Sequence, residues 1–180
     1  RQEVNHRLEA LGLLPGQFIH IHPTSRWLFK TWPVAQMAEL IDQLTARGWP
    51  VLLTAAPDPA ELAMLADIQA RLSRPVASLA GELSLEQLGA LLAQARAFIG
   101  MDSVPMHMAA ALDKPQVALF GPSHLARWRP YSERATVIWA GDFGPLPHPD
   151  SINTDDETRL LEAIPTDAVW QAVQAKLAEI

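Results

Sequence analysis

The chain has 180 residues, a formal net charge of -6, no cysteine, 49% hydrophobic residues and 19% charged ones. That length and apolar content suit one domain, or at most two small ones, with a sizeable core, and they exclude global disorder. The missing thiols exclude disulfides, thiolate metal sites and a cysteine nucleophile, and the acidic balance argues against a duplex nucleic-acid binder.

The N-terminal Arg1-Gln2-Glu3-Val4 has neither an initiator Met nor a signal-peptide pattern, so the chain is expected to be a piece of a longer protein. Phe18 to Ile21 reads as a strand ending at Pro23. Pro33 then opens a helix with Val34, Met37, Leu40, Ile41 and Leu44 at helical spacing, stopped by Gly48. Val51 to Leu53 is a second strand, and Asp58-Pro59 caps and starts a second helix carrying Leu62, Leu65 and Ile68. Val76 to Leu79 is a short third strand closed by Gly81. Ser84-Leu85-Glu86-Gln87 is a capping box for a helix that turns Leu88, Leu91 and Leu92 inward. Ala97 to Ile99 is a fourth strand, Ser103 to Leu112 a helix, Gln116 to Phe120 a fifth strand and Thr136 to Trp139 a sixth. A proline-rich loop spans Gly141 to Asn153, and two helices follow, over Asp155 to Ala163 and Thr166 to Ala178. Strands and helices alternating at this spacing predict parallel βαβ units in one doubly wound six-stranded sheet, with ligands bound beyond the carboxyl ends of the strands. No linker divides the chain, and its apolar runs are too short to span a membrane.

The charge is unevenly spread. Residues 1–141 carry twelve acids and twelve bases, and residues 142–180 carry eight acids and two bases, so the whole -6 lies in the tail, read as a solvated face. Two stretches contain no acid: Phe18 to Ala38, with Arg26 and Lys30, and Lys114 to Ser132, with Arg127 and Arg129. They are the places to look for an anionic ligand.

Four loops at predicted strand ends could carry chemistry. After the first strand, His22-Pro23-Thr24-Ser25-Arg26 and the following segment to Pro33 offer hydroxyls at Thr24 and Ser25 and a point charge at Lys30, groups suited to phosphate oxygens. The segment lacks the glycines of a P-loop, and an ordinary surface loop whose Trp and Phe cover the sheet edge is the alternative. After the fourth strand, Asp102-Ser103 precedes a helix whose first N–H groups attract an anion, with His107 one turn further in. A plain helix cap and a core histidine are the alternatives. After the fifth strand, Gly121 permits close backbone approach, or else forms a turn with a cap at Ser123. After the second, Asp58 or Glu61 could hold a ribose diol, or serve as a cap and a solvated acid. His20 and His22 point the same way along one strand and are expected to be structural, as Trp139 and Trp170 are expected in the core or an interface.

Together these segments resemble the C-terminal half of the lipopolysaccharide core heptosyltransferases, and most of all the branch that adds the side heptose, heptosyltransferase III. The likeness lies in His22-Pro23-Thr24-Ser25-Arg26-Trp27 with Lys30 and Trp32, in Phe98 to Ala111 with its Asp102-Ser103 and His107, in Val117 to Ser123, and in Trp139 to Gly144. The resemblance implies a GT-B enzyme, two Rossmann-like domains about a cleft, of which this chain would be the second, donor-binding domain; the N-terminal acceptor domain would be absent from it. It implies inverting transfer of heptose from ADP-heptose to the lipopolysaccharide inner core by the full-length enzyme, with the catalytic base in the missing domain and no catalytic residue here. The fragment alone would be inactive. Position by position, Thr24 and Ser25 would contact the diphosphate, and Lys30 would neutralise it or touch the sugar. Asp102 and Ser103 would bind near the heptose and phosphates with His107 in support, Gly121 would line the donor site, and Asp58 or Glu61 would meet the ribose. No metal and no cofactor is implied, nor any nucleic-acid partner. The location implied is cytoplasmic, with the inner face of the inner membrane as a peripheral site. One departure is that the loop from Ser25 to Lys30 is a residue longer than in some relatives, and its Trp27-Leu28-Phe29 is more apolar. The donor half of another GT-B transferase or of a nucleotide-sugar epimerase, and a non-catalytic nucleotide-binding module, are the competing assignments.

Overall fold

A computed structural model describes residues 1–155 and 158–179. Six parallel strands, β1 (Ile19–His22), β2 (Val51–Leu53), β3 (Ala77–Ser78), β4 (Ala97–Met101), β5 (Gln116–Phe120) and β6 (Ala135–Trp139), form one sheet in the order β3-β2-β1-β4-β5-β6. The expected doubly wound sheet is therefore present, and its strand order reverses between β1 and β4.

Helices cover both faces. On one lie α2 (Val34–Ala46), α3 (Pro59–Arg71) and α7 (Thr166–Ala178), and on the other α1 (Gln2–Ala10), α4 (Leu85–Leu92) and α5 (Val104–Ala111). Strand alternation sorts the side chains. Ile19, Ile21 and Ile99 pack with Met37, Leu40, Ile41, Val169 and Val173 on the first face. Phe98, Ala118 and Phe120 pack with Leu92 and Met106 on the second. Burying such a side chain stabilises the fold by roughly 1.5–3 kcal/mol. The capping box forms as expected, Ser84 Oγ accepting from the Gln87 N–H and Gln87 Oε1 from the Ser84 N–H.

Three features differ from expectation. Helix α1 has no strong periodic signal, because only Val4 and Leu8, one turn apart, are buried on it. No helix forms over the described residues of the stretch expected from Asp155 to Ala163; residues 156 and 157 lie outside the described residues. Leu161 and Ile164 are buried there in turns, the Ile164 carbonyl accepts from Trp32 Nε1 at 3.0 Å and Gln36 Nε2 at 2.8 Å, and Pro165 disfavours helical backbone before it. A short α6 (Leu125–Trp128) follows β5, but its cap position is His124, with no side-chain cap bond, and not Ser123. The acids after Gly141 that the structure describes are all exposed, in keeping with a solvated face. No described helix is long and apolar enough to cross a membrane.

Candidate functional site

A cavity of about 630 Å³ opens where the strand order reverses, at the carboxyl ends of β1, β2 and β4. Crevices of this kind are the usual ligand sites of open α/β sheets. One wall is apolar, from Ala55 to Pro57 with Leu79, Leu83, Leu85 and Leu88. Ser25, Lys30, Asp102, Ser103 and His107 line the same cavity, together with Trp27 and Trp128.

On the β4 side an ion pair dominates. Lys30 leaves a short 3-10 turn, Leu28–Lys30, and donates to Asp102 Oδ2 at 3.0 Å; its side chain is 24% exposed and that of Asp102 is 7% exposed. Ser123 Oγ donates to the same oxygen at 2.5 Å. Ser103 occupies the cap position of α5, but its hydroxyl turns back to the Met101 carbonyl at 3.3 Å, and no side chain caps the helix. Ser103, Val104 and Pro105 at the start of α5 line the cavity beside Lys30; Pro105 has no N–H, so Val104 and Met106 carry the helix-start N–H groups, and no side chain caps them. A helix start with a cation beside it can attract an anion.

On the β2 side the polar groups are buried. His20 Nε2 and His22 Nδ1 lie 2.7 Å and 2.8 Å from Thr54 Oγ1, His22 Nε2 lies 3.4 Å from Thr24 Oγ1, and Thr24 donates to Glu61 Oε1 at 2.8 Å. Burial pushes the His20 pKa down to about 3, with His22 beside it adding to the effect, and pushes that of His22 down to about 4. Both rings are neutral at pH 7, so the 4.0 Å approach of His22 Nε2 to Glu61 Oε1 is dipolar rather than an ion pair. His22, Thr54 and Glu61 floor the cavity, so the pair expected to be structural supplies one ring to the site.

Of the residues singled out from sequence, Ser25, Lys30, Glu61, Asp102, Ser103 and His107 line this one cavity. Three do not. Thr24 is fully buried and its hydroxyl is used by Glu61, so in this conformation it does not offer a proton to a diphosphate. Asp58 is exposed and caps α3, its Oδ2 accepting from the Glu61 N–H at 3.1 Å; it sets the helix start and does not line the cavity. Gly121 lies under Leu161, whose Cδ1 a Cβ would meet at 2.5 Å, and its carbonyl accepts from Trp139 Nε1, so the close approach it permits is to the protein's own core. His107 is exposed against Trp128, ring centroids 6.4 Å apart, and is no core histidine. Trp170 is in the core of the first face, and Trp139 is half-buried against the cluster on the second.

Sequence reasoning missed Thr54 and the link from Ser123 to Asp102. Thr54 carries one signal only, its place one residue past β2, and Ser123 reaches Asp102 across two loops that lie 21 residues apart.

The model of glycosyltransferase family 9 (heptosyltransferase) matches residues 2–157. Lipopolysaccharide heptosyltransferase 3 of Escherichia coli is 40% identical over 161 residues, 89% of this chain and 47% of that protein. The solved ADP-heptose lipopolysaccharide heptosyltransferase II of E. coli superposes with a TM-score of 0.80 at 29% identity, over 99% of this chain and 52% of that one. E. coli heptosyltransferase WaaC, solved with ADP, shares the fold at a TM-score of 0.74 and 23% identity, over 96% of this chain and 48% of that one. The chain thus spans about half the length of the curated relatives it matches.

Proposed function

The chain belongs to glycosyltransferase family 9, the heptosyltransferase family, and on that premise we propose that its cavity holds the nucleotide end of an ADP-heptose donor. The observation that carries this is the placement, across one crevice, of a cation and an uncapped helix terminus on one side and a buried carboxylate on the other. The diphosphate lies at the start of α5 against Lys30 and Ser25. The ribose hydroxyls donate to Glu61, and the base lies on the apolar wall of Leu79, Leu83, Leu85 and Leu88. Asp102, its Oδ2 tied to Lys30 and Ser123, accepts from sugar hydroxyls through its other oxygen, with His107 beside it. In support, one matched structure is named for this donor and another was solved with ADP.

In this assignment, transfer to the lipopolysaccharide inner core inverts the anomeric centre. The base that removes the acceptor proton belongs to an acceptor-binding half not found among these residues. What these residues supply is leaving-group stabilisation. Departure of ADP builds charge on the diphosphate, and the N–H groups of α5 meet it already oriented. Lys30 adds a full charge by passing from Asp102 to a phosphate oxygen. These groups suffice without a divalent ion. We place the reaction in the cytoplasm, peripheral to the inner face of the inner membrane.

Calorimetry with ADP in excess chelator tests the site, and binding equal to that with magnesium is expected; binding only with the metal would refute the metal-free assignment. A thermal-shift ranking of ADP above UDP and GDP is expected, and a higher rank for UDP would favour an epimerase-like or other GT-B donor site. The chain alone is expected to catalyse no heptosyl transfer.

A further inference from the structure

The buried polar groups on the β2 side form a chain whose protons can be assigned. A hydroxyl has one proton to donate. Thr24 gives its proton to Glu61 Oε1, so its oxygen accepts from His22, whose Nε2 must carry hydrogen. His22 is neutral, so its Nδ1 is a bare acceptor and takes the Thr54 proton. Thr54 then accepts from His20 Nε2–H. That leaves His20 Nδ1 bare, and this atom is buried with no hydrogen-bond partner among the described residues. The reverse direction would bury an orphaned N–H on His20 and set the His22 lone pair against Thr24 and Glu61. Each direction leaves one His20 nitrogen without a partner, but only the reverse also loses the bond from His22 to Thr24, a buried loss of about 1–3 kcal/mol, so the first direction holds. Every proton points toward Glu61.

The Glu61 side chain is thereby fixed. Its backbone N–H is held by Asp58, its Oε1 by Thr24, and its Oε2 remains for the cavity. We propose that Thr24, backed by His22 and Thr54, is a positioning residue for Glu61 that makes this cavity prefer a ribonucleotide over its 2′-deoxy counterpart. The proposal rests on the nucleotide site described above. The family resemblance had placed Thr24 on the diphosphate; the geometry points to the carboxylate instead. A carboxylate held in one orientation can accept from both hydroxyls of a ribose diol. A freely rotating one loses that advantage, and a 2′-deoxy ligand offers one donor fewer.

The test is calorimetry on the full chain with ADP and 2′-deoxy-ADP, together with long-range ¹H–¹⁵N spectra of the imidazoles at pH 7. The wild type is expected to prefer ADP by about tenfold or more, the scale of one hydrogen bond to a charged group. Thr24→Val is expected to shrink that preference to within about threefold, Thr24→Ser to restore it, and Glu61→Gln to abolish it. The spectra are expected to show Nε2–H tautomers for both His20 and His22, which needs no variant and so survives a failure of Thr24→Val to fold. A wild-type preference retained in Thr24→Val or Glu61→Gln, or an Nδ1–H tautomer at His22, would overturn the proposal. ADP binding with no preference over 2′-deoxy-ADP would overturn it too while leaving the nucleotide site standing; no binding of ADP at all would overturn both.

Discussion

The two sides of the cavity are built by opposite means. On the β2 side, His20, Thr54, His22, Thr24 and Glu61 are all less than a tenth exposed, and the rings are neutral. On the β4 side, Lys30 is a quarter exposed and its charge is matched by Asp102. A buried hydrogen-bonded chain holds one geometry, because any break strands a polar group without water. An ion pair beside solvent is worth less and is more easily exchanged. The first arrangement suits recognition of a fixed diol, and the second suits a group whose charge grows during reaction.

That contrast can be broken in order of expected effect. The largest is acid sensitivity of the buried side. Both imidazoles have folded pKa values of about 3 and 4, below the ordinary 6.5, so the unfolded chain takes up protons first as pH falls. Their contribution to stability is complete above pH 6.5 and is lost progressively toward about pH 3; at about 1.4 kcal/mol per unit of displacement it amounts to several kcal/mol. Urea unfolding at pH 7.5 and pH 4.5 measures it, and an unchanged midpoint would show that the rings are not held neutral. Next, Asp102→Ala is expected to weaken ADP-heptose binding by about a hundredfold and ADP binding far less, since it removes the sugar acceptor and frees Lys30. Equal losses for both ligands would place Asp102 on the diphosphate. Lys30→Ala is expected to weaken ADP binding by about tenfold and to flatten its salt dependence, with Lys30→Arg only partly restoring it. The smallest effect is that of Asp58→Ala, about 1 kcal/mol of stability through the lost cap. Its ADP affinity is expected to stay within about threefold, read by calorimetry beside thermal unfolding, because the Glu61 side chain keeps its Thr24 bond.

Much of the exchangeable side was legible in the sequence. Lys30, Asp102 and Ser103 lie in short polar loops at strand ends, and the acid-free stretch from Phe18 to Ala38 marked the cation. The buried side was legible only in part. Glu61 could be named from its place after the second strand, but Thr24 and Thr54 interact with partners more than 30 residues away, and local pattern carries no trace of that pairing. The fold shows the same division. Periodic helices such as Thr166–Ala178 appear where expected, and α1, with one buried pair, did not announce itself. The turn near Leu161 and Ile164 was misread as helix because its apolar spacing looks helical, while its carbonyl partners, Trp32 and Gln36, lie more than 120 residues back.

The most direct measurement is a structure of the chain with ADP bound. The expected result has the diphosphate between Lys30 and the first turn of α5, with Lys30 drawn away from Asp102, and the ribose on Glu61. ADP lying elsewhere, or in the cavity with its ribose away from Glu61 and Lys30 still on Asp102, would contradict the division of the site into a fixed side and an exchangeable one.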